Sequence, residues 1–164
     1  MNIRRFADLF PDLAARHMVP LWIDPARPRL PVKAYWLLEY YCDEPACDCR
    51  RVFLDVVADG WHSRVFASIH YGWETLEFYR PWDSTPRLSN ARMLKRGVLD
   101  PVGFHCDWAD VLLRHVRKEV LSDPKAVRRF IKHYEMVKRH QRKQAREELR
   151  ARRFGSGEDC ARPA

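Results

Sequence analysis

Three apolar runs in the first half of the chain have the composition of β-strands. Val32–Cys42 is apolar at consecutive positions, as in a strand with both faces buried. Arg51–Ala58 and Trp61–Tyr71 are also rich in aromatic and β-branched residues, which suit a pleated surface. Asp59-Gly60, a strong hairpin signal, joins the last two runs. The pattern therefore predicts an antiparallel meander of at least three strands.

Apolar positions at helical spacing occur towards both ends of the chain. Residues 3–16 predict one short helix that is broken or restarted at Pro11. Asp107–Leu121 carries a helical apolar stripe, and a last, long helix is predicted from Pro124 to about Arg153. The predicted fold class is therefore α+β, with an N-terminal helix and two C-terminal helices, the latter covering one face of a small antiparallel sheet.

The apolar stripe of the last helix ends at Val137, which indicates where the packed domain ends. A chain of 164 residues suits one hydrophobic core. We predict a single α+β domain over residues 1–137, a basic helical extension over 138–154 and a disordered tail over 155–164.

The turn between the first two predicted strands holds three of the five cysteines of the chain. Cys47 and Cys49 share a face if the backbone is extended, and a hairpin would bring Cys42 to them from the preceding strand. Three thiolates could then converge on one ion, and soft sulfur ligands favour zinc or an iron–sulfur cluster. Structural zinc takes four ligands. Candidates for the fourth are Cys106, His105, His70 and His62, with Asp43 and Asp48 as local options, and Cys106 completes the predicted set.

Other interpretations of the cysteines stay open. An acidic turn with small, partly buried thiols needs no metal, and Cys47 and Cys49 could form a redox dithiol. His105-Cys106 precedes a predicted helix, where a thiolate ligand or nucleophile would be stabilised. The chain has no Gly-rich phosphate loop, H-E-x-x-H or G-x-S-x-G pattern. We therefore favour a non-enzymatic zinc-binding module over a thiol-dependent redox protein or enzyme.

The net charge of +8 is concentrated at the C-terminal end. From Lys138 to Ala164 there are nine Lys or Arg and four Asp or Glu residues. A solvated helix end is the simplest interpretation of this segment, and non-specific nucleic-acid binding or an acidic partner is the alternative. The residues that would contact phosphates are Lys138, Arg139, Arg142, Lys143 and Arg146.

The expected location of the chain is the cytoplasm. No run of about 18 apolar residues predicts a membrane span, and the first ten residues do not have the pattern of a signal peptide. In a reducing compartment, clustered cysteines are metal ligands or redox thiols more often than structural disulfides.

Four short motifs carry a family resemblance. They are Tyr41-Cys42, Cys47-Asp48-Cys49-Arg50-Arg51, Tyr71-Gly72-Trp73 and, in the last helix, Ile131-Lys132-His133-Tyr134. Over about residues 35–137 the chain resembles a group of small uncharacterised bacterial proteins, some of which are associated with cysteine-rich SEC-C motifs. The resemblance implies a bacterial cytosolic protein and no particular activity, and this chain has no terminal SEC-C motif.

Overall fold

An antiparallel sheet forms the centre of the fold. The structure, a computed structural model, describes residues 3–18, 20–23, 34–58, 64–82 and 90–155. Strands β3 (Ala34–Cys42), β4 (Arg51–Ala58) and β5 (Val65–Gly72) form the predicted meander, whose Asp59-Gly60 turn lies outside these residues. The short strands β1 (Ile3–Arg5) and β2 (Leu21–Trp22) pair with β3, and β6 (Val98–Leu99) pairs with β5.

Helices from both halves of the chain pack against this sheet. Their bounds are α1 (Phe6–Leu9), α2 (Pro11–His17), α3 (Leu76–Tyr79), α4 (Asn90–Arg96), α5 (Ala109–Val116) and α6 (Pro124–Gly155). A π-helical turn, Arg117–Leu121, follows α5 and completes the segment that was predicted as one helix. The predicted α+β class, with a long C-terminal helix, is confirmed.

The first residues of the chain differ from the helix predicted over residues 3–16. Ile3–Arg5 form β1, which pairs with Tyr40–Cys42 at the end of β3, and helical structure begins only at Phe6. Pro11 is the first residue of α2, as the predicted restart requires. Local apolar spacing does not reveal β1, because the strand is stabilised by partner residues far along the chain.

One face of the sheet carries the hydrophobic core. Leu54 and Ile69 pair directly between β4 and β5, and both are fully buried. Leu112 of α5 and Phe130 of α6 belong to the same buried cluster. Burying a side chain of this size contributes about 1.5–3 kcal/mol, so the contact between the sheet and the two C-terminal helices is the main apolar layer.

Helix α6 remains in contact with the domain one turn beyond its predicted apolar stripe. Val137 is fully buried, and Lys138 and Gln141 are each only 4% exposed. From Arg142 to Arg152 every side chain is exposed. The helix therefore leaves the domain after Gln141, one turn later than the boundary placed at residue 137.

Among the helices that the structure describes, none combines the length and the hydrophobicity that a membrane span requires.

Candidate metal centre

Three cysteines meet at the turn between β3 and β4. Cys42 is the last residue of β3, and Cys49 stands two positions before β4 begins at Arg51. The sulfur atoms of Cys42, Cys47 and Cys49 all lie within 4.8 Å of one another. Zinc–sulfur bonds are about 2.3 Å long, so a small contraction would bring all three sulfurs onto one ion. The predicted convergence of these three thiols is confirmed.

The turn itself is short and defined by its backbone. The amide of Cys47 donates to the carbonyl of Glu44 at 3.1 Å, which closes a tight turn around Pro45 and Ala46. Proline presets the backbone for the second position of such a turn. This turn brings Cys47 back towards the end of β3, where Cys42 is located.

Helix α6 holds one side of the turn through two buried polar side chains. The Lys138 ammonium donates to the carbonyls of Cys42 at 3.2 Å and Glu44 at 2.6 Å. The Gln141 amide nitrogen donates to the Cys42 carbonyl at 2.9 Å and to Oδ1 of Asp43 at 3.0 Å. Buried carbonyls without such donors would destabilise the fold. These contacts fix the backbone that carries the thiols before any ion binds.

The other side of the turn is held by Arg50, which enters β4 in an uncommon conformation. Its φ is +45°, in the left-handed region that residues other than glycine rarely adopt. The Arg50 carbonyl accepts from the Tyr79 hydroxyl at 2.6 Å, and its guanidinium pairs with Asp48 at 2.8 Å and Glu74 at 3.1 Å. Burial raises the pKa of Tyr79 to about 12, so this hydroxyl remains a donor. The strained backbone is thus stabilised by three groups, Tyr79, Asp48 and Glu74.

Gly72 allows the Tyr79 ring, which supports Arg50, to approach β5 closely. A Cβ at Gly72 would lie 2.6 Å from the Tyr79 ring, below any real contact distance. The glycine therefore permits a close approach between β5 and α3. Trp73, the next residue, is half-buried and packs edge-on against Tyr134 of α6 at 5.3 Å.

The electrostatics of the site combine buried thiols with a buried cation. Cys42 is fully buried and Cys49 is 1% exposed, while Cys47 is half-buried. Burial raises the pKa of the Cys42 thiol, and a hydrogen bond from the Glu44 backbone acts in the opposite direction. The two buried sulfurs are inaccessible to thiol–disulfide exchange, which requires attack on an exposed sulfur. The geometry therefore disfavours the alternative of a redox dithiol at Cys47 and Cys49.

Cys106, the predicted fourth ligand, lies far from the three clustered thiols. Its amide donates to the Phe66 carbonyl at 2.9 Å, at the beginning of β5. Cys49 lies instead near the other end of that strand, where Arg51 pairs with Gly72. At about 3.3 Å per residue the two ends are about 20 Å apart. Burial also raises the pKa of Cys106, which does not suit a nucleophile.

The remaining candidate ligands have other partners. His105 bonds the carbonyl of Asp100 at 2.6 Å, and His70 lies 3.0 Å from the Asp100 carboxylate. Asp43 is paired with Arg4 at 2.7 Å, whereas Asp48 is 59% exposed and paired with Arg50. Hydrogen bonding to Arg50 lowers the pKa of Asp48. His62 lies outside the described residues. Within the described segments, the metal-ligand geometry is thus met by the three sulfurs without a fourth protein donor.

The predicted nucleic-acid residues divide into two groups. Lys138 is only 4% exposed and its ammonium donates to two carbonyls of the cysteine turn, so it is less accessible to a phosphate than the other four. Arg139, Arg142, Lys143 and Arg146 are exposed and line an open cavity of about 660 Å³ beside α6. Because Asp48 also lines this cavity, it extends from the cysteine turn along the helix.

A second polar cluster, which sequence reasoning missed, lies between β3, α2 and α6. The Glu39 carboxylate accepts from the Tyr41 hydroxyl at 2.7 Å and bonds Nδ1 of His133 at 2.6 Å. Nε2 of His133 lies 2.9 Å from Nδ1 of His17, so at least one of the two rings must be neutral there. Phe6 stacks on the His133 ring at 3.9 Å. A charged residue within the apolar run of β3 is the only signal in the sequence that points to this cluster.

Acidification is expected to destabilise the contact between His17 and His133. Burial lowers the pKa of His17 below its ordinary value of 6.5, and His133, Arg129 and Lys132 lower it further, against Glu39. The unfolded chain therefore binds more protons near pH 6.5, and the free energy of unfolding falls as the pH drops through that value. Urea unfolding at pH 7.5 and 5.5 should show a smaller difference in His17→Gln than in the native chain. Equal differences would contradict this assignment.

The chemistry of the cysteine turn is that of a ligand set for a soft metal ion. Three convergent sulfurs, two of them buried, lie on a turn whose backbone accepts hydrogen bonds from α6 and α3 and whose Asp43 side chain accepts one from β1. Such outer hydrogen bonds orient metal ligands and maintain their geometry. Comparison of the chain with models of protein families, with curated proteins and with solved structures found no match.

Proposed function

We propose that this chain is a non-enzymatic metal-binding module whose turn between β3 and β4 holds a zinc ion through Cys42, Cys47 and Cys49. The observation that carries the proposal is the mutual approach of the three sulfurs to within 4.8 Å. Zinc favours thiolate ligands and imposes no electronic preference on geometry. A fourth position would be filled by water or by another donor.

The charge balance of the site supports an anionic cluster at the turn. Lys138 is 4% exposed, and its ammonium is directed at carbonyl groups of the turn. Among the described residues, no carboxylate lies within ion-pair distance of this ammonium. A buried charge without a counter-ion is costly. Three thiolates on a divalent ion carry one net negative charge, which would compensate the Lys138 cation.

The burial of the thiols supports a structural ion over a reactive one. Cys42 and Cys49 are closed to solvent, and the turn contributes Cys49 to the main core cluster. An ion at this position would connect β3 and β4 at the point where their pairing ends. Metal binding would then contribute directly to the free energy of folding.

The proposal predicts one zinc ion per chain in protein purified without added metal. Elemental analysis of the full chain measures this ratio. The Cys47→Ser variant should lose the ion and melt at a lower temperature, because one of three ligands is replaced by a poor one. Cys47 is the best position for the change, since it is half-buried whereas Cys42 and Cys49 are buried.

Cys106→Ser is the matched control, since this thiol is also half-buried but lies at the opposite end of β5. It should retain the ion. Metal-free native protein that takes up no zinc and melts like Cys47→Ser would disprove the proposal. If the same three cysteines retained a different soft metal, the proposed site would stand and only the identity of its ion would change.

A further inference from the structure

We propose that α6 binds the phosphate backbone of double-stranded nucleic acid through an arginine stripe, defined as Arg139, Arg142, Arg146 and Arg150. This inference goes beyond metal binding and does not depend on it. All four side chains are exposed, and all four line the open cavity beside the helix. In the described part of the chain, none of them has an ion-pair partner.

The stripe is straight and narrow. At about 100° per residue, the four arginines fall within an arc of about 80° on the helix surface. At about 1.5 Å per residue, the stripe is about 16 Å long from Arg139 to Arg150. Duplex nucleic acid carries one negative charge per about 1.7 Å of its axis. A duplex segment of this length therefore carries about ten phosphates on its two strands, of which the four arginines can contact up to four without a particular register.

The charges of the cavity favour an anion along the whole stripe. Its lining contains six basic and three acidic side chains, the acidic ones being Asp48, Glu135 and Glu147. Asp48 is paired with Arg50, and Glu147 lies 3.9 Å from Lys143. With these two ion pairs formed, Glu135 is the remaining acidic side chain of the lining, set against the four arginines of the stripe. Guanidinium groups bind phosphates with two parallel hydrogen bonds, more specifically than an ammonium does.

The described part of the surface offers little to a single strand. Single-stranded nucleic acid is held by aromatic side chains on which its bases stack. Among the described residues, Tyr134 is the one aromatic side chain that lines the cavity; it is 7% exposed, and its hydroxyl donates to Asp48 at 3.2 Å. Backbone phosphates are therefore the feature that the stripe can recognise, and binding should be independent of sequence.

The test measures fluorescence anisotropy of labelled 20-base-pair DNA and RNA duplexes with the full chain at 50–200 mM NaCl. Four phosphate contacts predict a loss of affinity of about 100-fold across this range. Arg142→Gln/Arg146→Gln should reduce the slope of log affinity against log salt by about 1.8, since each contact contributes about 0.9. Binding to both duplexes, or to either one alone, supports the proposal and identifies the backbone recognised.

The matched control is Arg92→Gln/Arg114→Gln, which changes the net charge equally at exposed positions of α4 and α5. This control variant should keep the native slope of log affinity against log salt. An equal loss in both double variants would overturn the proposal, because net charge alone would then explain binding. Absence of binding to either duplex at 50 mM salt would also overturn it. Complete displacement of the bound duplex by polyglutamate of matched charge would overturn it as well, because that result would indicate an acidic protein partner. Unchanged zinc content in both variants separates these outcomes from failure of the metal site.

Discussion

Replacing Glu39 with alanine is expected to lower the free energy of unfolding by about 3 kcal/mol, since breaking a buried charge network leaves its partners unpaired. The Glu39 side chain is 11% exposed and its main partner, His133, is 1% exposed. The Tyr41 hydroxyl also donates to this carboxylate, and Arg129 lies 3.5 Å from it. Burial raises the pKa of Tyr41 well above its ordinary value, so the tyrosine cannot replace the missing charge.

Chemical denaturation of Glu39→Ala and of Glu135→Ala tests this expectation. Glu135 lies on α6 near the same region, but its side chain is exposed, so its removal should change stability by less than about 0.5 kcal/mol. Glu39→Gln should fall between the two, because the amide keeps an acceptor but loses the charge. Similar losses in both alanine variants would mean that the carboxylate of Glu39 is solvated and not part of a stabilising network.

Shortening α6 is expected to be harmless down to residue 145 and damaging at residue 137. A chain ending at Val137 loses Lys138 and Gln141, which removes both side-chain donors from the buried carbonyl of Cys42 and leaves the carbonyl of Glu44 with the Cys47 amide alone. A buried group without a partner costs about 1–3 kcal/mol, so a loss of at least that size is expected. A chain ending at Ala145 keeps a helical turn beyond Gln141, and the side chains that it loses over residues 146–152 are all exposed.

Thermal melting of the two shortened chains measures this difference. The pair Gln141→Ala and Gln144→Ala isolates the contact, because Gln141 is 4% exposed whereas Gln144 is exposed. Only Gln141→Ala should melt at a lower temperature. A chain ending at residue 137 that melts like the full chain would show that α6 contributes nothing to the turn.

Much of the fold could be predicted, because the patterns that predict it are local. The meander follows from apolar runs separated by turn residues, and the start of α6 follows from Pro124. The convergence of Cys42, Cys47 and Cys49 also follows locally, since a hairpin places the two strand ends side by side. Three ligands within eight residues need no information from the rest of the chain.

The elements that were predicted wrongly depend on distant partners. Ile3–Arg5 have the apolar spacing of a helix, but the free edge of β3 provides hydrogen bonds that make them a strand. Cys106 is a plausible ligand in the sequence, and only the register of β5 separates it from the other thiols. Pairing energies of this kind outweigh local propensity, which spans less than about 1 kcal/mol per residue.

Lys138 and Glu39 show most clearly what only the tertiary structure decides. By composition Lys138 begins a basic extension, yet the carbonyls of the cysteine turn lie within its reach and make it a buried part of that turn. By composition Glu39 is a polar interruption of a strand, yet α6 places His133 opposite it. The sequence alone determined the local features, namely the strands of the meander, the turn between β3 and β4 and the thiols of that turn. Whether a charged side chain is solvated or buried depends on which groups the fold brings next to its charged atoms. Only long-range packing determines which groups those are.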